Sequence, residues 1–438
     1  MSFSKAKFWV ILFAGFFMEL IFGLDLQILN IKNGQTLSAT TEVKIAIEDP
    51  LNSFKILQVY LDDYLVYESN VKITSFYLNP EEFPAGNYKM KVYVRGNGEN
   101  VRKTLDISIE KKDWAKPFEY SEPLHRIISS QDGGYILVGS QLITKFTHDF
   151  KTIWEQYIDF DVENVINTSD NGVILVGEDM VLKISALGKV EMEVQFDGKL
   201  SDVLEEKTGI IVVGSTQSFN DGFESAYFAR FDKVEKDLIE KAFTPYETYK
   251  YIAQKIFPTT DEGYLIIGGE FSYSGQANIR VIKLDKKYHM QWQKNIESMF
   301  RMQVSRILKL TNIDNSVLVI GNFIYSSPFI VKINEDGEMV WTKYFENEGL
   351  SSISSAILST DGNCLIVGIT NSFNTRPDIM VLMLDKDGNI LWKKVYGDER
   401  ENMPIDVTVT PSGEFIILGK NNDEPFILKL TKDGKILK

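Results

Sequence analysis

The sequence holds one cysteine, Cys364, and only three histidines in 438 residues. A single thiol excludes an intramolecular disulfide and the multi-cysteine sites that hold zinc or iron–sulfur clusters. His125, His148 and His289 stand far apart, and no H-x-x-x-H pair offers itself to a metal. Basic residues are in deficit, 47 against 61 acidic ones, for a formal charge of −14. Affinity for nucleic acid comes mainly from neutralising phosphates with Lys and Arg, so that partner class is excluded. No G-x-S-x-G, P-loop or dinucleotide fingerprint occurs. What is present suits a folded chain with a large core: 44% hydrophobic and 25% charged residues.

One long apolar run exists, from Phe8 to Phe22, interrupted only by Glu19 and preceded by Lys5 and Lys7. Spanning a bilayer takes roughly 20 apolar residues. This shorter run reads as a signal peptide over residues 1–23, with Gly23 as the small residue at the cleavage point. An uncleaved N-terminal anchor through residues 8–22 is the alternative, and a buried helix the plainest one. No cysteine follows the run, which excludes a lipid-modified N-terminus. The expected location is secreted, periplasmic or cell surface.

Residues 24–111 read as short alternating strands. Thr41 to Ile47 alternates strictly and places Val43, Ile45 and Ile47 on one face. Lys55 to Leu65 is two strands about Asp62-Asp63, and Gly86 to Val94 and Lys103 to Ile109 add two more. About seven such strands predict a β-sandwich.

From Trp114 the sequence repeats itself. "DGGYILVG" at Asp132, "DNGVILVG" at Asp170, "DEGYLIIG" at Asp261 and "DGNCLIVG" at Asp361 are the clear copies. Weaker copies begin at Lys207, Asp314 and Pro411. Their closing glycines, 139, 177, 214, 268, 321, 368 and 419, are separated by 38, 37, 54, 53, 47 and 51 residues. Such spacing fits four-stranded blades of roughly 40 to 50 residues. A second signature, as in "LDKDGNILWKKVY" from Leu384, follows each first one. Trp114, Trp154, Trp292, Trp341 and Trp392 all fall at one phase of it, with Met192 and Ile239 in that slot in the other two copies. In the sixth copy the strands are expected at Ser354 to Ser359, Cys364 to Thr370, Asp378 to Leu384 and Ile390 to Tyr396. The seventh copy stops at "LTKDGKILK", while "DWAKPFEY" (Asp113 to Tyr120) is a fourth strand with no first three before it. The N-terminal strand is therefore expected to complete the last blade and close the ring.

Asn33-Gly34-Gln35-Thr36, "VYLDDYLV" from Val59 and "PAGNYKMKVYV" from Pro84 resemble bacterial immunoglobulin-like domains, though without a Cys…Trp…Cys core. In such proteins these modules are spacers or adhesion units. The repeats resemble the quinoprotein-like (PQQ-like repeat) β-propellers, whose blades carry a similar D-x-x-G-x-x-x-W signature. The resemblance covers the C-terminal three quarters of the chain. It implies blade packing, and it carries no catalytic residue here, because the family includes binding scaffolds beside quinone-dependent dehydrogenases. The expectation is an all-β chain: a β-sandwich over 24–111 and a seven-bladed β-propeller over 112–438.

Candidate chemistry is sparse. Cys364 lies in an apolar strand and reads as a packing thiol. Asp385-x-Asp387-Gly-Asn389 mimics the start of a calcium loop, but Tyr396 stands where a glutamate is required, and the hairpin turn is the better reading. Loops joining one blade to the next hold Asp159, Asp161 and Glu163, then Glu346 and Glu348, then Asp398, Glu399 and Glu401. Loops between second and third strands add Phe219, Phe223, Phe271, Tyr273, Tyr325 and Phe373. Both sets surround one mouth of a propeller channel. Carboxylates beside aromatics suit carbohydrate or peptide capture, although solvated loops would look the same.

The expected function is a non-enzymatic binding protein engaging a carbohydrate, protein or peptide partner at that mouth, with no cofactor, metal or catalytic residue. Candidate ligand contacts are Asp159, Asp161, Glu346, Glu348, Asp398, Glu399, Phe219, Tyr273 and Phe373. A polysaccharide-active or quinone-dependent propeller enzyme and a cell-envelope scaffold are the alternatives.

Overall fold

The computed structural model describes residues 24–437, except 51, 111–114, 220–223, 245–248, 273–276, 297–301, 310–314, 324–326 and 373–375. The proposed signal segment and Trp114 lie outside the described residues. Among those described there is no α-helix; the elements are β-strands and one 3₁₀ turn. By packing, the chain divides into two compact units. Of the described residues, the first holds those of 24–110 with 372, 376–378 and Lys394–Arg400, and the second holds the remainder.

The first unit is built on two sheets. Asp25–Ile28, Thr41–Glu48 and Ser75–Leu78 form one. The other orders Gln35–Leu37, Asn100–Ile109, Gly86–Gly96, Phe54–Leu61 and Tyr64–Ser69. The alternation expected in Thr41–Glu48 is present, with Val43, Ile45 and Ile47 buried. Tyr88, Met90, Val92 and Val94 do the same along Gly86–Gly96. The hairpin turn falls at Asp62-Asp63, where Asp62 takes a positive φ of 50°.

Among the described residues the other strands form seven four-stranded antiparallel sheets. Their first strands are Leu124–Ser129, Asn164–Asn167, Lys199–Glu205, Tyr249–Pro258, Met302–Lys309, Ser352–Leu358 and Asn402–Val409. Each first strand packs on the next, and the last returns to the first, which is the arrangement of a β-propeller. Second and third strands are buried on both faces, as in Tyr135–Gly139 and Asp378–Leu384, so they read as continuous apolar runs. In the last sheet the order is Asn402–Val409, Phe415–Asn421, Glu424–Leu430 and then Lys116–Pro117 from the start of the repeat region. Phe426 pairs with Pro117 and Ile427 with Lys116, and the Phe118 N–H donates to the Pro425 carbonyl at 3.2 Å.

Two kinds of repeat glycine have a visible cause. A Cβ on the closing glycine would stand 1.8 Å from the Asp161 carbonyl at Gly177, and 1.9 Å from those of Lys199 and Ile252 at Gly214 and Gly268. Only glycine lets the first strand ride so close over the second. The turn glycine of the second signature has a different partner. Gly188, Gly337 and Gly388 take φ values of +73 to +82°, and each lies under the tryptophan of the preceding sheet, Trp154, Trp292 and Trp341. The Trp154 indole N–H donates to the Ala186 carbonyl at 3.0 Å, and that of Trp392 to Lys432 at 3.2 Å. Where the slot holds Ile239, the next turn carries Tyr288, which fills the space against Phe228 and Tyr264 of both sheets. Met192 likewise precedes a turn without glycine, at Lys236.

The repeat aspartate is also structural. Asp261 accepts from Lys283 Nζ at 2.6 Å and from the Thr259 hydroxyl at 2.6 Å. Those bonds, Lys283 first, hold its carboxyl down at about 2. Asp170 with Lys183 and Thr168 repeats the pattern, again at about 2. Asp132 takes Lys145, whose side chain is 2% exposed.

Candidate functional site

At one corresponding position each first strand carries a polar residue: Arg126, Asn164, Asp202, Lys255, Arg306, Ser355 and Asp406. In six of the seven strands a register shift of one residue immediately precedes it, and Asn164 is simply the first residue of its strand. A bulge re-aims the side chain that follows it. Two of these residues join neighbouring sheets. Asp202 accepts from Asn164 Nδ2 at 2.6 Å on one side, and from Lys255 Nζ at 2.6 Å and the Ile256 N–H at 3.1 Å on the other. Asp406 accepts from the Ser355 hydroxyl at 2.6 Å and the Ile127 N–H at 3.1 Å, so it links the last sheet to the first.

Above this level lies a cavity of about 350 Å³, lined by Arg126, Glu163, Lys199, Glu224, Lys250 and Gln254 among others. Its charges are matched in pairs. Lys250 Nζ lies 2.5 Å from Glu224, which also accepts from the Ser215 hydroxyl at 2.9 Å. Lys199 lies 3.5 Å from Glu163. Arg126 donates to the Glu163 carbonyl at 2.9 Å. The Gln254 side-chain oxygen is buried with no hydrogen-bond partner. Below, the channel continues as a cavity of about 500 Å³ lined by Ile128, Ile166, Leu204, Phe257, Ile357 and Leu358, together with buried neighbours.

Glu163 is the one residue of the expected loop carboxylates that lines the upper cavity. Asp159, Asp161 and Glu346 are exposed on their loops. Glu348 accepts from the adjacent Asn347 N–H at 3.1 Å, and its carbonyl accepts from Lys393. Asp398 binds Arg400 at 2.9 Å, and the Glu399 carbonyl accepts from Arg376 at 3.1 Å; both belong to the first unit. Phe219 is 48% exposed and leans on Tyr227, while Phe271 packs into the core beside Gly269. Tyr273, Phe373, Phe223 and Tyr325 lie outside the described residues. The cations of the cavity wall went unread in the sequence. Their signal is a polar residue twelve to fifteen positions before each closing glycine, inside an apolar strand.

No family model matches the chain. No curated protein matches it at a significant level. Among solved structures it is similar to a quinoprotein alcohol dehydrogenase-like protein from Bacteroides thetaiotaomicron, at 10% identity over 84% of this chain and 96% of that one, TM-score 0.41. BamB from Moraxella catarrhalis is similar at 11% identity over 79% and 92%, TM-score 0.42. The Neurospora crassa Pan2 WD40 domain is similar at 11% identity over 70% and 88%, TM-score 0.48.

The remaining candidates have local partners. His125 bonds the Ser140 hydroxyl at 3.0 Å, and His289 sits 3.3 Å from Asp285 in its own turn. The His148 carbonyl accepts from Lys429. Burial pushes the Cys364 thiol up to about 12. Asp385 accepts the N–H groups of Asp387 and Asn389 at 2.9 and 2.8 Å, and Gly388 takes a positive φ, so this segment is a hairpin turn. Among the described residues no cluster of His, Cys, Asp and Glu has the makings of a metal site.

Proposed function

We propose that the protein is an extracytoplasmic, non-enzymatic binding protein: an immunoglobulin-like module followed by a seven-bladed propeller that takes its ligand in the cavity at the channel mouth. The observation that carries this reading is the set of exposed ion pairs in that cavity, Lys250 with Glu224 and Lys199 with Glu163. Alternating charges on a rigid wall discriminate among partners, and exposed lysines exchange their carboxylates for ligand groups at low cost. Glu224 is already held by Ser215, which suits it to a fixed binding contact. The location rests on Lys5, Lys7 and the apolar run that follows them. The ligand class is a carbohydrate or a protein or peptide segment at the cell surface.

The test is a glycan array and a peptide array probed with the full chain, beside a reducing-sugar release assay. Binding without release, lost in Lys199→Ser/Lys250→Ser while the melting temperature holds, is the expected result. Sugar release would overturn the non-enzymatic reading. Binding indifferent to both lysines would remove the mouth from it.

A further inference from the structure

The polar mouth cavity and the apolar cavity below it share Arg126, Asn164, Lys255 and Ile307 in their walls, so the two adjoin. Together they offer a charged entrance of about 350 Å³ over an aliphatic throat of about 500 Å³. The throat is unusual for a water-filled channel. Ile128, Ile166, Leu204, Phe257, Ile357 and Leu358 are only half-buried by their sheets, and the rest of each side chain lines this space. Apolar surface left facing a cavity is a place where a ligand's apolar atoms are favoured over water.

The upper cavity has a positive balance, with Arg126, Lys199, Lys250 and Lys255 against Glu163 and Glu224, whereas Asp202 and Asp406 balance Arg126 and Lys255 in the lower one. Lys255 is neutralised by Asp202 at 2.6 Å. Arg126, on the wall of both cavities, gives one N–H to the Glu163 carbonyl, and a guanidinium has five to give.

We propose that the channel binds an amphiphilic anion, a medium-chain carboxylate, with its headgroup at Arg126 and its alkyl chain in the throat. The proposal rests on the mouth-binding reading above and names a ligand class for it. Ring polarity argues for one orientation: the throat offers few polar groups at its aliphatic level, Thr408 being one.

The experiment is calorimetric titration of the full chain with hexanoate, octanoate, decanoate and decan-1-ol, each below its micelle concentration. Each methylene buried should raise affinity about fourfold, so decanoate should bind ~200-fold more tightly than hexanoate, with a negative heat-capacity change. Decanol should bind at least tenfold more weakly than decanoate, and Arg126→Gln should cost decanoate about tenfold or more at an unchanged melting temperature. The chain-length series uses the unmodified protein, so it does not depend on any variant folding. Affinity independent of chain length, or equal for decanol and decanoate, would overturn the proposal. If short hydrophilic anions or array ligands bound through Lys199 and Lys250 with a flat chain-length response, the amphiphile would fall and the mouth reading would stand. Silence in both panels would remove both.

Discussion

Replacing Gly337 by alanine probes how neighbouring sheets interlock. Two costs arise. Gly337 has a φ of +73°, where any other L-residue is disfavoured by about 1–2 kcal/mol. Its Cβ would also stand 2.7 and 2.8 Å from Cη2 and Cζ3 of Trp292, closer than carbon atoms tolerate, and overpacking of this kind costs about 1–3 kcal/mol. Gly133 is the control, since its φ is +85° but nothing lies within 4 Å of the added methyl. Gly133→Ala should therefore show the backbone cost alone. Trp292→Ala should cost about 3–5 kcal/mol by itself. In that background the clash is gone, and Gly337→Ala should fall to the cost of Gly133→Ala, a coupling of about 1–3 kcal/mol. Urea unfolding followed by far-UV circular dichroism measures all four variants. Equal costs at positions 337 and 133, or the same cost for Gly337→Ala in both backgrounds, would refute the interlocking argument.

Three further perturbations follow from the same structure. Glu270 and Arg280 are each 2% exposed and bonded at 2.6 Å, so Glu270→Gln should destabilise by about 3–5 kcal/mol, while Glu270→Leu/Arg280→Met should recover most of that loss in the same denaturation assay; a double variant as unstable as the single would contradict this. The carboxyls of Asp261 and Asp170 sit at about 2 against an ordinary 3.8, so their contribution is complete above about pH 4 and is lost as the pH falls through 2. Acid unfolding should be concentrated in that window, and Asp261→Asn/Asp170→Asn should flatten stability across it; an unchanged pH profile would contradict the assignment. Deleting residues 112–120 removes the strand paired with Glu424–Leu430, and the melting temperature of the second unit should drop. A deletion variant that melts like the parent would show that the pairing contributes nothing to closure.

Much of the architecture could be read from residue order. The second, third and fourth strands of the sixth repeat fall where the sequence placed them, and the first begins two residues earlier, at Ser352. Strands buried on both faces leave an unbroken apolar run closed by a glycine that no other residue can replace, and this survives even weak copies such as the one at Lys207. The first strands were harder. Each mixes channel-facing and core-facing positions, and a one-residue bulge exchanges them, so periodicity alone does not say that Arg126 or Lys255 reaches the channel. Carboxylates and aromatics are dense in the loops, so residue types alone point there. Phe271 shows why density misleads, since a glycine two residues before it lets its ring fold back onto the core.

The pairing of tryptophan slots with turn glycines sorts the sheet contacts into classes that are not interchangeable with one another. A Trp-bearing fourth strand meets a hollow, as at Gly188, Gly337 and Gly388, whereas the turn that follows the Ile239 strand carries Tyr288, packed on Phe228. Moving the fourth repeat next to Trp154 would set ring against ring, and placing the second repeat after Ile239 would leave an unfilled space. The near-copies thus behave like pieces cut to a few matching shapes. Side-chain volume at two positions penalises a chain that docks a tryptophan-bearing repeat against the Tyr288 turn, or the Ile239 repeat against a glycine turn.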